Sequence, residues 1–80
     1  MGATAVESLL VPDQIAARLA GVSRATWWRL HAAAKTPAAI QLGRRRLWSR
    51  AEVVSWIEAG CPVRETWEAM RSQARRLRVV

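Results

Sequence analysis

Apolar positions recur along this chain in four runs with helical spacing, and the stretches between them are polar, basic or punctuated by glycine and proline. In the first run Ile15, Ala16 and Leu19 fall on one side of a helix. Pro12 suits its first position, where a fixed φ is already helical, and Asp13 sets a carboxylate in the first turn, where the helix dipole favours it. Gly21 closes the run, because glycine takes the left-handed conformation of a terminating residue without steric cost. After a very tight turn, Ser23 caps a second helix, RATWWRLHAAA. Val22 before the cap and Trp27 inside the helix have the spacing of a hydrophobic staple. Trp27, Leu30, His31 and Ala34 share one face of this helix; Arg24, Ala25, Trp28, Arg29 and Ala32 occupy the other.

Lys35, Thr36 and Pro37 break that helix, and AAIQL and RRLW then read as two short strands around a glycine turn. The predicted hairpin carries Arg44, Arg45 and Arg46 at its tip. Ser49 with Glu52 forms a capping box for a third helix, and Trp48 with Val53 a second staple. Val53, Trp56 and Ile57 make its buried face, Gly60 sits where a terminating glycine belongs, and Pro62 prevents continuation. Beyond it Val63, Trp67, Met70, Ala74 and Leu77 follow alternating steps of four and three, the pattern of a helix seam. Arg64, Arg71, Arg75 and Arg78 lie away from the seam, so this last helix is amphipathic and basic, with Glu65 and Glu68 in its first turns.

Composition narrows the use of these elements. Eighty residues, half of them apolar, suffice for one domain with one core. Cys61 is the single cysteine, so neither an intrachain disulfide nor a cysteine-rich zinc site is available, and the chain fits a reducing cytoplasm. No apolar run approaches a membrane span, and the first ten residues lack the basic start of a signal peptide. The formal charge is +7, which points to a polyanionic partner, nucleic acid first; twelve of the thirteen basic residues are arginine, a bias that suits bidentate contact with phosphate or guanine and that a GC-rich genome would equally produce. The six carboxylates are scattered among caps and solvent faces and form no pair for acid and base chemistry; no cofactor motif is present, and the chain reads as a non-enzyme. His31 has no second ligand at helical spacing, and Cys61 has no matched base.

A short helix, a tight turn, a capped helix and a hairpin are, in that order, the parts of a helix-turn-helix with a wing. In such a module the second helix enters the major groove and its N-terminal side chains reach base edges. Ser23, Arg24, Ala25, Trp28 and Arg29 would then face DNA, with the N–H groups after Ser23 open to a phosphate and Ala25 to a thymine methyl. Arg44, Arg45 and Arg46 would lie on the phosphate backbone or in an adjacent minor groove. Trp28 is balanced between partial core and DNA contact, whereas the spacing places Trp27, Trp48 and Trp56 in the core. The last helix either folds back on the core or self-associates through Val63, Trp67, Met70 and Leu77. A protein-interaction module built on that seam is the competing function, and a basic tail lying on an anionic membrane is a weaker third reading.

The stretch GVSRATWWRL resembles the recognition segment of the AlpA-like and excisionase-type helix-turn-helix proteins of phages and prophages, where G-[LV]-S-R-x-T precedes two apolar positions and R-L. Pro37 followed by IQLG, and the pattern formed by Trp48, Glu52, Val53 and Trp56, are similar to the wing and third helix of that family. The resemblance spans roughly residues 9 to 59, with Val11 and Thr36 departing from the common pattern. It implies a mostly α chain with a small β-hairpin, a MerR-like winged helix, that binds specific double-stranded DNA without catalysis. The implied roles are transcriptional regulation or excision, with an integrase or recombinase as partner and a cytoplasmic, nucleoid-associated location. On this reading residues 1–8 are a flexible N-terminus, 9–60 the DNA-binding domain and 61–80 a basic amphipathic helix.

Overall fold

Two serines decide where two of the helices begin. Ser23 Oγ accepts the Thr26 N–H at 3.1 Å and Ser49 Oγ accepts the Glu52 N–H at 3.1 Å, each satisfying a backbone donor that the first turn leaves without a partner. In the computed structural model, which describes residues 8–79 with side chains to residue 77, these caps start helices α2 (Arg24–Ala32) and α3 (Arg50–Glu58). Apart from Ser8, the N-terminus expected to be flexible lies outside the described residues, as does the Arg78 side chain. Helix α1 (Asp13–Ala20) precedes them and α4 (Arg64–Val79) follows, so the described chain is mostly helical, with four helices and a small three-stranded antiparallel sheet.

The helix ends follow local chemistry closely. Pro12 is the residue before the first helical position of α1, one place earlier than the sequence reading puts it. Gly21 adopts φ 75°, and Val22 N–H closes back on the Ala17 carbonyl at 3.0 Å, so the chain reverses within three residues before α2. Helix α2 stops at Ala32 instead of continuing to Ala34. Ala34 is left-handed, at φ 57°, and Lys35 N–H reaches the Leu30 carbonyl at 2.8 Å.

Strands β2 (Ile40–Leu42) and β3 (Arg45–Ser49) form the expected hairpin, in the register Ile40↔Leu47, Gln41↔Arg46 and Leu42↔Arg45. Gly43, at φ 63°, takes the first place of a two-residue loop, a position with the left-handed φ that glycine accepts freely. A third strand, β1 (Leu10–Val11), pairs with the other edge of β3 at Leu10↔Ser49 and Val11↔Trp48, giving the order β1-β3-β2. Two residues are too few to show a period, so β1 has no counterpart in the sequence reading.

The core is a tryptophan cluster. Trp27, Trp48 and Trp56 are almost completely buried, together with Val11, Ala16, Ala17 and Val53, and Trp67 joins them from α4. Trp27 meets Trp48 and Trp56 edge to face, with ring centroids 5.5 and 6.0 Å apart. Each large indole removes on the order of 200 Å² from water, roughly 4 to 6 kcal/mol of gross hydrophobic gain. Four of them let a chain of 80 residues close a core without an intrachain disulfide. Truncation of Trp48 to alanine is expected to cost about 3 to 5 kcal/mol, and Ser49→Ala about 1 kcal/mol, in urea unfolding followed by tryptophan fluorescence. A cost below 1 kcal/mol for Trp48→Ala would contradict a core centred on this residue.

Candidate nucleic-acid interface

The buried side of α2 fixes what its other side presents. Trp27 anchors the helix in the core, and Ser23, Arg24, Ala25 and Arg29 are all exposed. Arg24 occupies the first helical position, and its Nε donates to Asp13 Oδ2 at 2.5 Å. Thr26 Oγ1 accepts from Ser23 Oγ at 3.0 Å and from Arg29 Nη2 at 3.3 Å, so Arg29 leans toward the helix start. Arg24, Ala25 and Arg29 therefore form one accessible surface at the N-terminal half of the helix.

Trp28, the residue that the pattern left between core and contact, is half-buried. Its Nε1 donates to Asp13 Oδ2 at 2.5 Å, and its ring meets His31 and Trp48 edge to face at 5.4 and 5.7 Å. Its indole edge is thus taken up by the body of the protein.

The register corrects the position of the three hairpin arginines. Only Gly43 and Arg44 form the loop; Arg45 and Arg46 belong to β3. Because successive side chains on a strand alternate, Arg45 and Arg46 point to opposite faces, and Arg46 shares its face with Trp48. All three arginines remain exposed.

His31 belongs to a junction that sequence reasoning missed. Its Nδ1 lies 3.2 Å from Thr36 Oγ1 and 3.1 Å from Arg64 Nη2. Arg64 also donates from Nε to the Thr36 carbonyl at 2.9 Å and from its backbone N–H to the Ala34 carbonyl at 2.9 Å. The heptad pattern set Arg64 apart from the apolar seam, but it is the residue that ties the start of α4 to the end of α2. Burial, with the charges of Arg64 and Arg46, holds the His31 imidazole below its ordinary range. No group of three or more metal-ligating side chains comes together among the described residues.

A second tie to α4 uses the Glu52 side chain, while the Ser49 half of the expected capping box is made. The Glu52 side chain accepts from Trp67 Nε1 at 2.9 Å and from Arg71 Nη1 at 2.8 Å. The carboxylate is thereby directed at α4, and Arg71 serves as a tether. On either side of Trp67 the apolar seam is open: Val63, Met70 and Leu77 are 46%, 42% and 69% exposed. Nothing in a one-dimensional pattern distinguishes an arginine that tethers a helix from one that faces water.

Asp13 is the most engaged carboxylate. Burial pushes its pKa up, but hydrogen bonds from Arg24, Trp28 and the Gln14 N–H, with the charge of Arg24, outweigh burial and hold it below the ordinary carboxylate value. Comparison with family models, with curated proteins and with solved structures finds no match for the chain.

Both shifts make stability fall on acidification, in two separate windows. His31 is neutral in the fold, so its contribution is complete above about pH 6.5 and declines as pH drops through that ordinary value toward the lower folded one. Asp13 is charged in the fold, and its contribution declines as pH drops below about 3.8. Melting temperatures measured from pH 8 to pH 3 are expected to fall in both windows; His31→Gln flattens the upper step and Asp13→Asn the lower. An upper step that persists in His31→Gln would contradict the assignment.

Proposed function

We propose that this chain is a sequence-specific double-stranded DNA-binding protein, a winged helix-turn-helix in which α1 and α2 are the paired helices, α2 is the recognition helix and the β2–β3 hairpin is the wing. The observation that carries this reading is the exposed surface formed by Arg24, Ala25 and Arg29 on a serine-capped helix whose other face is locked by Trp27. Laid in a major groove, the N-terminal half of such a helix brings arginine to base edges, and Ala25 is small enough to sit on a thymine methyl. Arg44, Arg45 and Arg46 add charge on the hairpin; their division between loop and strand suits contact with backbone phosphates on two sides of the wing. The net charge of +7 supports a polyanionic partner.

The resemblance to AlpA-like and excisionase-type proteins makes a phage-type transcriptional regulator or recombination directionality factor the expected role, without catalysis, at the nucleoid and alongside an integrase. Among the described residues no helix is long and apolar enough to cross a membrane.

A second reading concerns α4. Val63, Met70 and Leu77 repeat at seven-residue intervals and are exposed, and α4 is acidic at its start and basic toward its end. Two copies paired antiparallel about Met70 would set Val63 against Leu77 and Glu65 against Arg75, a self-complementary arrangement of the kind a twofold dimer needs. Trp67, buried against the body, takes no part in this surface.

Neutralisation of about 4 to 7 phosphates gives an expected slope of roughly −4 to −6 for log K against log salt on duplex DNA. Arg29→Ala is expected to weaken binding to the preferred site by about 1 to 3 kcal/mol, while replacement of Arg44 and Arg45 weakens all sequences alike. Absence of duplex affinity near physiological salt would overturn the reading. For the second reading, sedimentation of the native protein is expected to show a dimer that Met70→Glu dissociates; a native protein that is monomeric both free and on DNA would remove it.

A further inference from the structure

One carboxylate oxygen joins the first turn of α1 to two residues of α2. Asp13 Oδ2 accepts both Arg24 Nε and Trp28 Nε1, each at 2.5 Å, while Oδ1 accepts the Gln14 N–H at 2.8 Å. The Asp13 side chain is 13% exposed and that of Arg24 67%. The carboxylate is therefore seated in the body of the protein, while the guanidinium it holds stands in solvent.

Which nitrogen is held matters. A guanidinium carries five N–H donors in a planar fork, and a carboxylate bound at Nε fixes the plane while leaving the two terminal nitrogens pointing outward. Among the described residues the Nη atoms of Arg24 have no partner. Two parallel N–H groups presented this way match O6 and N7 on the major-groove edge of guanine, the commonest specific arginine contact to DNA. An exposed arginine loses considerable rotamer freedom when it docks; one already oriented by a fixed carboxylate loses less. Trp28 completes the device. Its ring is wedged against His31 and Trp48, and its Nε1 shares Oδ2 with Arg24, so the core itself sets where the carboxylate sits.

We infer that Arg24 reads a guanine, that Asp13 is the positioning residue that orients it, and that Trp28 acts on DNA through Asp13 and not by contact. This rests on the duplex-DNA reading above and assigns a base to one position of that surface. A plain surface ion pair would behave differently. Its loss would lower stability or affinity for every sequence alike, because a structural tie carries no information about bases. Loss of an orienting carboxylate flattens the preference at a single base position. It also takes a negative charge away from the phosphate backbone, so affinity for unrelated DNA stays level or rises.

The test is selection from a duplex library randomised over about two helical turns, with native protein, Arg24→Lys and Asp13→Ala, each checked for folding by its thermal melt. The native protein is expected to prefer guanine at one position by about tenfold or more, corresponding to the discrimination of one bidentate contact. Both variants flatten that position and retain the rest of the preferred sequence, and Asp13→Ala binds an unrelated duplex at least as tightly as the native protein. If Asp13→Ala melts below the assay temperature, Asp13→Asn is read in its place and is expected to reduce the same preference in part. A native preference that both variants leave intact, or that they lower equally at every position, overturns the inference while leaving DNA binding standing. Native protein that binds no duplex at any salt overturns the DNA reading and the inference together.

Discussion

The structure depends on where Trp48 can go. It lies on the central strand of the sheet, fully buried, with Trp27, Trp28 and His31 all edge-on around it at 5.5 to 5.7 Å. Its Nε1 donates to the Pro37 carbonyl at 3.1 Å, so the one polar atom of a large apolar ring is satisfied by the segment that leads into the hairpin. Val11 pairs with Trp48 across the sheet, and Ser49, the next residue, caps α3. One side chain thus joins the sheet, α2 and the start of α3. The same principle recurs around it: Trp56 Nε1 donates to the Pro62 carbonyl at 2.7 Å, and Trp67 Nε1 and Trp28 Nε1 donate to the carboxylates of Glu52 and Asp13. Trp27 Nε1 is the buried donor without a partner among the described residues. Its ring packs edge to face with two other indoles.

A core of large flat rings has a consequence for charge. The chain has six acidic side chains to twelve arginines, and the two ion pairs formed among the described residues, Arg24–Asp13 and Arg71–Glu52, both place a largely buried carboxylate against a more exposed arginine. Each also receives an indole N–H on the same oxygen. The acidic groups therefore orient cations at the edges of the core, one at the start of α2 and one along α4, and do not neutralise the surface. Further positive charge lies outward on α2, the hairpin and α4.

What the sequence reveals of this arrangement is mostly local. Ser23, Ser49, Gly21 and Gly60 mark helix ends because capping and left-handed termination depend on neighbours within a few residues. The core positions of Trp27, Trp48 and Trp56 follow from helical and strand spacing. Hidden from a one-dimensional reading are the contacts between distant residues: Arg64 on His31 and Thr36, Glu52 on Trp67 and Arg71, and β1 on β3. The three hairpin arginines show the limit most clearly. Their charge is evident, but the side each faces is set by a two-residue loop at Gly43 and Arg44, and a shift of one residue in register would exchange Arg45 and Arg46. The half-burial of Trp28 likewise needs Asp13, fifteen residues away, to be understood.

The most direct measurement of the central claim is a titration of isotope-labelled protein with a DNA duplex, followed by backbone amide and indole N–H resonances. Shifts are expected to concentrate on residues 23–29 and 43–46, with the Trp28 indole moving together with Asp13 and Arg24, while the Trp56 indole, bonded to the Pro62 carbonyl, stays in place. Shifts confined to the α4 residues between Val63 and Leu77, or no shifts at all, would contradict it.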